Sequence, residues 1–136
     1  MAWISRPSPA PITGLKLVLA DPANNIIYLG SPCQYRAGPN CASPYWLNKR
    51  FAPEVIQSYS LALDRLKQTC NAASLTLVGY SGGGAIATLL TAQRQDVDLL
   101  ITVAGNLDPV YWTRHHQITP LRGSLNPADE IDRLSR

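Results

Sequence analysis

The chain has 136 residues, 46% of them hydrophobic and 15% charged, with a formal net charge of +3. That length suits one domain, residues 1–136, with a real core, and the composition excludes disordered, collagen-like and membrane classes. Basic residues are scattered along the sequence rather than gathered in a stripe, and no reader motif accompanies them, so nucleic acid is not an expected partner.

In chain order, residues 4–13 are rich in proline and serine and read as a loop, because proline lacks an amide hydrogen and restricts its predecessor. Residues 14–19 suit a short helix stopped by Asp21-Pro22. The pair Asn24-Asn25 then turns the chain into Ile26-Ile27-Tyr28-Leu29, whose composition predicts a first buried strand. Residues 30–45 form a long connection rich in Gly, Pro, Ser and Asn; such a loop is usually functional or braced, and it is expected to border the site. Pro53 opens a helix with Val55, Ile56, Tyr59, Leu63 and Leu66 on one face and Gln57, Asp64, Arg65 and Lys67 opposite.

The run at 75–78 predicts a second buried strand, Ala85 to Ala92 a small-residue helix, and the run at 99–104 a third strand. Beyond Gly105 a helix-like stretch through Trp112 and His116 leads to a turn-rich end with no further strand. Alternating strands and helices predict an α/β fold, a parallel sheet with flanking helices joined by right-handed crossovers. No apolar run approaches the roughly 20 residues of a membrane span, and the prolines of MAWISRPSPAP stand where a signal peptide would be apolar. Cys33, Cys41 and Cys70 lack zinc-ligand spacing, so no metal is expected; Cys33 and Cys41 either close a short loop or remain thiols, and Cys70 suits packing.

The second strand leads directly into Gly79-Tyr80-Ser81-Gly82-Gly83-Gly84. A Gly-x-Ser-x-Gly spacing between a strand and a helix is the pattern of a nucleophile elbow, in which a strained turn pushes the serine hydroxyl outward. The flanking glycines at 79 and 83 are expected to let strand and helix approach each other. Ser81 is thus the candidate nucleophile, and the Gly82 backbone N–H at the helix start the candidate oxyanion donor. The competing reading, a phosphate-cradling turn, lacks the Lys-Ser/Thr pair of a P-loop. A serine needs a base, and the histidines in the chain are His115 and His116. Either serves as base or sits at the surface, with His116 the candidate carried forward. Asp108 stands just past the third strand, either at the active edge or as a helix cap before Pro109.

The stretches AWISRPSPAP, LADPANNIIYLGSPCQY, NKRFAPEVI, VGYSGGGAIATLL and TVAGNLDPVYWTRHHQITPLRGSLNPAD together resemble a group of bacterial α/β-hydrolase-like proteins. The resemblance covers nearly the whole chain and implies a partial α/β-hydrolase fold. In that group a strand and an oxyanion loop precede the segment matched by Trp3, and the triad acid and histidine follow the segment matched by Asp129. It therefore implies an incomplete piece of the fold, in which Ser81 and the Gly82 amide carry over while acid and base match no position. It further implies an exported protein, a small-molecule ester or acyl substrate, and no cofactor. Two functions follow as expectations. One is an impaired serine esterase acting through an acyl-serine intermediate, with Tyr35, Tyr45, Trp46, Tyr111 and Trp112 either lining an acyl pocket or filling the core. The other is a non-catalytic remnant that binds through the same cleft or does nothing, and an exposed sheet edge would favour self-association.

Overall fold

The computed structural model describes residues 12–33 and 38–135. The proline-rich start up to residue 11, Trp3 included, and Tyr35 lie outside the described residues. The chain is α/β, with a two-stranded parallel sheet and flanking helices. Its helices are α1 (Ile12–Ala20), α2 (Pro53–Cys70), α3 (Gly82–Gln93), α4 (Pro109–His115) and α5 (Ile131–Leu134), and its strands are β1 (Leu75–Tyr80) and β2 (Val97–Val103). Single turns of 3₁₀ helix lie at Ser43–Trp46 and Pro127–Glu130.

The second helix begins as its sequence dictates. Pro53 occupies the first turn, where a missing N–H costs nothing. Val55, Ile56, Tyr59 and Leu63 form its buried stripe, and it ends on Asn71 in a left-handed conformation, φ 49°. Asn71 and Ala72 then close the last carbonyls by donating to Gln68 O at 3.3 Å and Lys67 O at 2.9 Å.

The third helix is different. Gly84 through Leu90 are buried without interruption, so α3 is enclosed on every side and not only along a stripe. It packs on both strands, on α2, and on the Pro127–Glu130 turn with α5. Thr88 is tolerated there because its hydroxyl donates to Gly84 O at 2.8 Å. Around α3 gather Phe51, Val55, Ile56 and Leu63 on one side and Leu75 and Leu77 of β1 on the other, with Leu121 and Leu125 closing the core from the C-terminal segment.

Two expectations are corrected. Residues 26–29 are not a strand, and among the described residues the sheet consists of β1 and β2 alone. Ile27, Tyr28 and Leu29 are 45%, 43% and 37% exposed, so β propensity there meets no neighbouring strand and no covering layer. Nor are β1 and β2 buried on both faces. Leu75 and Leu77 turn inward, whereas the register Thr76↔Leu99 and Val78↔Ile101 gathers an open face on which Val78, Leu99 and Ile101 are 45%, 51% and 42% exposed. Helices α2 and α3 cover one side of the sheet only.

The β2 entrance is tied to α2 by charge. Arg94 donates to Asp96 at 2.8 and 2.6 Å, to Asp64 at 2.7 Å and to the Ser60 hydroxyl at 2.7 Å, while Lys67 reaches Asp96 at 2.6 Å. These hydrogen bonds, Arg94 first, hold the Asp96 carboxyl well below the usual carboxylate range against the opposing effect of burial. A depressed folded value means that the contribution is complete above the unfolded value of about 4 and drains away as pH falls through the folded value. Unfolding free energy measured by urea titration is therefore expected to fall below about pH 4, and Asp96→Asn to flatten that fall while costing about 1–3 kcal/mol at pH 7.

The glycines of the turn after β1 are not equivalent. A Cβ at Gly79 would lie 2.3 Å from Gly83 O and 2.6 Å from Gly84 Cα, whereas a Cβ at Gly83 would meet nothing within 4 Å. Both positions were expected to require glycine; only Gly79 does so sterically. Gly79→Ala is expected to destabilise by at least about 2 kcal/mol through forced backbone displacement, and Gly83→Ala to be neutral or stabilising by up to about 1 kcal/mol through helix propensity. Thermal unfolding of the two variants separates them.

Candidate functional site

Ser81 sits where β1 meets α3. Its φ of 52° and ψ of −119° are a conformation L residues rarely adopt. The surroundings fix it from both sides. Ser81 N–H donates to Val103 O at 3.0 Å, extending the parallel ladder, and Ser81 O accepts from Gly84 N at 3.0 Å and Asn106 N at 3.1 Å. Ser81 is the N-cap of α3, yet its side chain makes no capping hydrogen bond. The hydroxyl is left exposed at the helix start. Gly82 is the first residue of α3, so its N–H has no acceptor one turn back within the helix.

The neighbouring strand ends in the same manner. Ala104 directly follows β2 with φ 49°, so two adjacent parallel strands leave the sheet through left-handed residues side by side. Alanine gives no sequence signal for such a conformation. Both residues border a cleft of about 940 Å³ at the carboxyl edge of the sheet, the edge at which open α/β sheets bind ligands. Pro44, Leu47, Asn48 and Arg50 form one wall, the segment Gly105 to Asp108 the floor, and Tyr111, Trp112, Ile118 and Leu121 the other side. The first wall is latched to the C-terminal segment: Phe51 N donates to Ser124 Oγ at 3.1 Å, Ser124 Oγ to Asn48 O at 2.8 Å, and Leu125 N to Phe51 O at 2.9 Å.

The long loop expected near the site does reach it through Ser43 and Pro44, and a Cys33–Cys41 disulfide braces it. Cys70 is a free thiol at the end of α2. The aromatic residues divide. Tyr111 and Trp112 line the cleft, Tyr45 packs on the core with its hydroxyl donating to Glu54 at 3.1 Å, and Trp46 is 43% exposed.

Asp108 borders the cleft with Ser81, but its Oδ1 accepts from Tyr111 N at 2.9 Å and Asn126 Nδ2 at 3.2 Å. It therefore caps α4. His115 and His116 are exposed at the far end of that helix and do not line the cleft. Their rings lie 5.8 Å from Tyr111 and 5.0 Å from Trp112 respectively, and 4.9 Å from each other. Among the described residues, then, the cleft assembles Ser81, the start of α3 and Asp108, but no histidine. Arg50 and Asn106 were not singled out by sequence reasoning. Asn106 has a buried Oδ1 without a partner among the described residues, a cost of about 1–3 kcal/mol in the empty site. Nothing in the pattern TVAGN marks that asparagine as a cleft residue.

No known protein family, curated protein or solved structure matches this chain. Among the described residues no group of His, Cys, Asp or Glu is arranged to hold a metal ion, and no helix is long and apolar enough to cross a membrane.

The strain at Ser81 is measurable. A non-glycine residue in such a conformation stores on the order of 1–3 kcal/mol, and glycine relieves it at a smaller cost in unfolded-state entropy. Ser81→Gly is expected to unfold about 1 kcal/mol harder than Ser81→Ala in urea, since both lack the hydroxyl and differ at the backbone.

Proposed function

We propose that the chain is a serine-hydrolase domain, part of an α/β-hydrolase fold, in which Ser81 attacks an ester or related acyl bond. The observation that carries this reading is the Ser81 backbone, φ 52°, which leaves an uncapped hydroxyl at the start of α3 on the wall of an apolar cleft. The resemblance of the surrounding stretches to bacterial α/β-hydrolase-like proteins supports it.

The chemistry is acyl transfer. Ser81 Oγ forms a bond to the acyl carbon as the carbonyl electron pair moves onto oxygen, and the Gly82 N–H stabilises that oxyanion. The C–O bond to the leaving group then breaks, and the alcohol departs with the proton that the hydroxyl gave up. Water subsequently adds to the acyl-serine, releases the acid and restores the hydroxyl. The geometry around Ser81 supports the nucleophile and donor roles; the base has no such support, because His115 and His116 lie away from the cleft and Asp108 is engaged as a cap. Losing the base costs on the order of a millionfold in turnover in a triad hydrolase. Activity is accordingly expected to be feeble, and that same observation favours a second reading in which the cleft binds a ligand without turnover.

A fluorophosphonate probe reports an activated serine without a natural substrate. Slow labelling is expected that vanishes in Ser81→Ala and persists in His115→Ala and His116→Ala. Loss of labelling in a histidine variant would make that histidine the base, and a folded protein that takes no label at all would leave the binding reading.

A further inference from the structure

The cleft beside Ser81 is apolar along Leu47, Leu107, Trp112 and Leu121, yet two charged side chains border it, Arg50 and Asp108. They are in different situations. The Asp108 carboxylate is committed to Tyr111 N–H and Asn126. Arg50 donates its Nε to Leu47 O at 2.9 Å, and among the described residues no carboxylate pairs with it. Arg94 and Arg133, by contrast, are both paired.

The Leu47 tether has a geometric consequence. It holds the guanidinium plane against the turn that precedes α2, and it leaves Nη1 and Nη2 side by side with no protein acceptor. That pair of donors matches the two oxygens of a carboxylate, a planar fork that lysine cannot reproduce. An unpaired cation on the wall of an otherwise apolar cleft adds nothing to folding, whereas it adds selectivity toward a ligand of opposite charge.

We infer that Arg50 is a specificity-determining residue that selects substrates carrying a carboxylate on a hydrocarbon frame, with the frame lying on the apolar wall. As a statement about substrates, this rests on the reading of Ser81 as nucleophile; as a statement about an anion site, it rests on Arg50 alone.

The test compares phenylbutyrate with its uncharged amide, phenylbutyramide, by isothermal titration calorimetry on the full chain at low salt. The carboxylate is expected to bind about threefold tighter or better. Arg50→Gln should erase the preference while leaving the amide affinity unchanged, and Arg50→Lys should restore part of it. Added salt should weaken carboxylate binding and leave the amide alone. Arg50 is exposed, so its variants should fold, which far-ultraviolet circular dichroism checks.

Equal affinity for the two probes, a preference that survives Arg50→Gln, or no binding of either probe would each overturn the inference. The fluorophosphonate experiment keeps the two ideas separable. An Arg50-dependent preference in a protein whose Ser81 takes no label upholds the anion site and removes the acyl-serine chemistry; a labelled Ser81 without the preference does the reverse.

Discussion

The structure depends on one close approach, that of the end of β1 to the start of α3. At Gly79 the strand and the helix are so near that a methyl group would overlap the Gly83 carbonyl, at 2.3 Å. A second contact of the same kind follows one turn later, where a Cβ on Gly84 would lie 2.7 Å from Gly105 Cα. Together these contacts seat α3 directly on the ends of both strands. The connection between strand and helix is then a single residue, Ser81, and one residue can reverse the chain so sharply only by leaving the allowed regions of an L-amino acid. The strain at Ser81 is thus a result of the packing, and the packing is in turn a result of having no side chain at 79 and 84.

That seating also explains the unusual burial of α3. A helix set into the angle between a sheet and α2 has no solvent face, so its central positions must be small or apolar, and the run from Gly84 to Leu90 satisfies this. Completely buried side chains such as Ile56 and Leu89 each contribute on the order of 1.5–3 kcal/mol relative to exposure. The same arrangement leaves the opposite side of the sheet poorly covered. Val78, Leu99 and Ile101 form a contiguous apolar face because every tightly packed helix lies on the other side.

The sequence announced the elements whose cause is local. The period of α2, the apolar runs of β1 and β2, the glycines before α3 and the capping role open to Asp108 could all be read residue by residue. What was not legible depends on partners. Residues 26–29 have strand composition, but a strand is made by its neighbour, and no local pattern says whether one is present. One-sided coverage of the sheet was hidden for a similar reason, since an apolar run cannot say which of its faces a helix will reach. Ala104 gave no warning of its φ of 49° because alanine is not a residue that favours it; the conformation is imposed by the turn from β2 toward Asn106, whose N–H is held by Ser81 O at 3.1 Å. In the site, the serine was legible because its chemistry is written in glycine spacing. Arg50 was not, because a lone arginine in a turn has no spacing to read.

Those two strained residues bring the fold and the chemistry together. Ser81 and Ala104 lie at the ends of adjacent parallel strands, and the hydrogen bond from Asn106 to Ser81 ties one turn to the other. Strain of this kind survives only where several constraints act at once, and here they are the glycine contact beneath, the ladder bond to Val103, and the cross-strand bond to Asn106. The arrangement holds a hydroxyl against a helix start with little freedom, which is the costly part of a nucleophilic site in entropic terms. The base that would activate it contributes a separate, larger factor and is supplied by none of the cleft residues described. Positioning without activation is physically coherent, because the constraints that aim the hydroxyl are all backbone contacts of β1, β2 and α3 and do not pass through any titrating group.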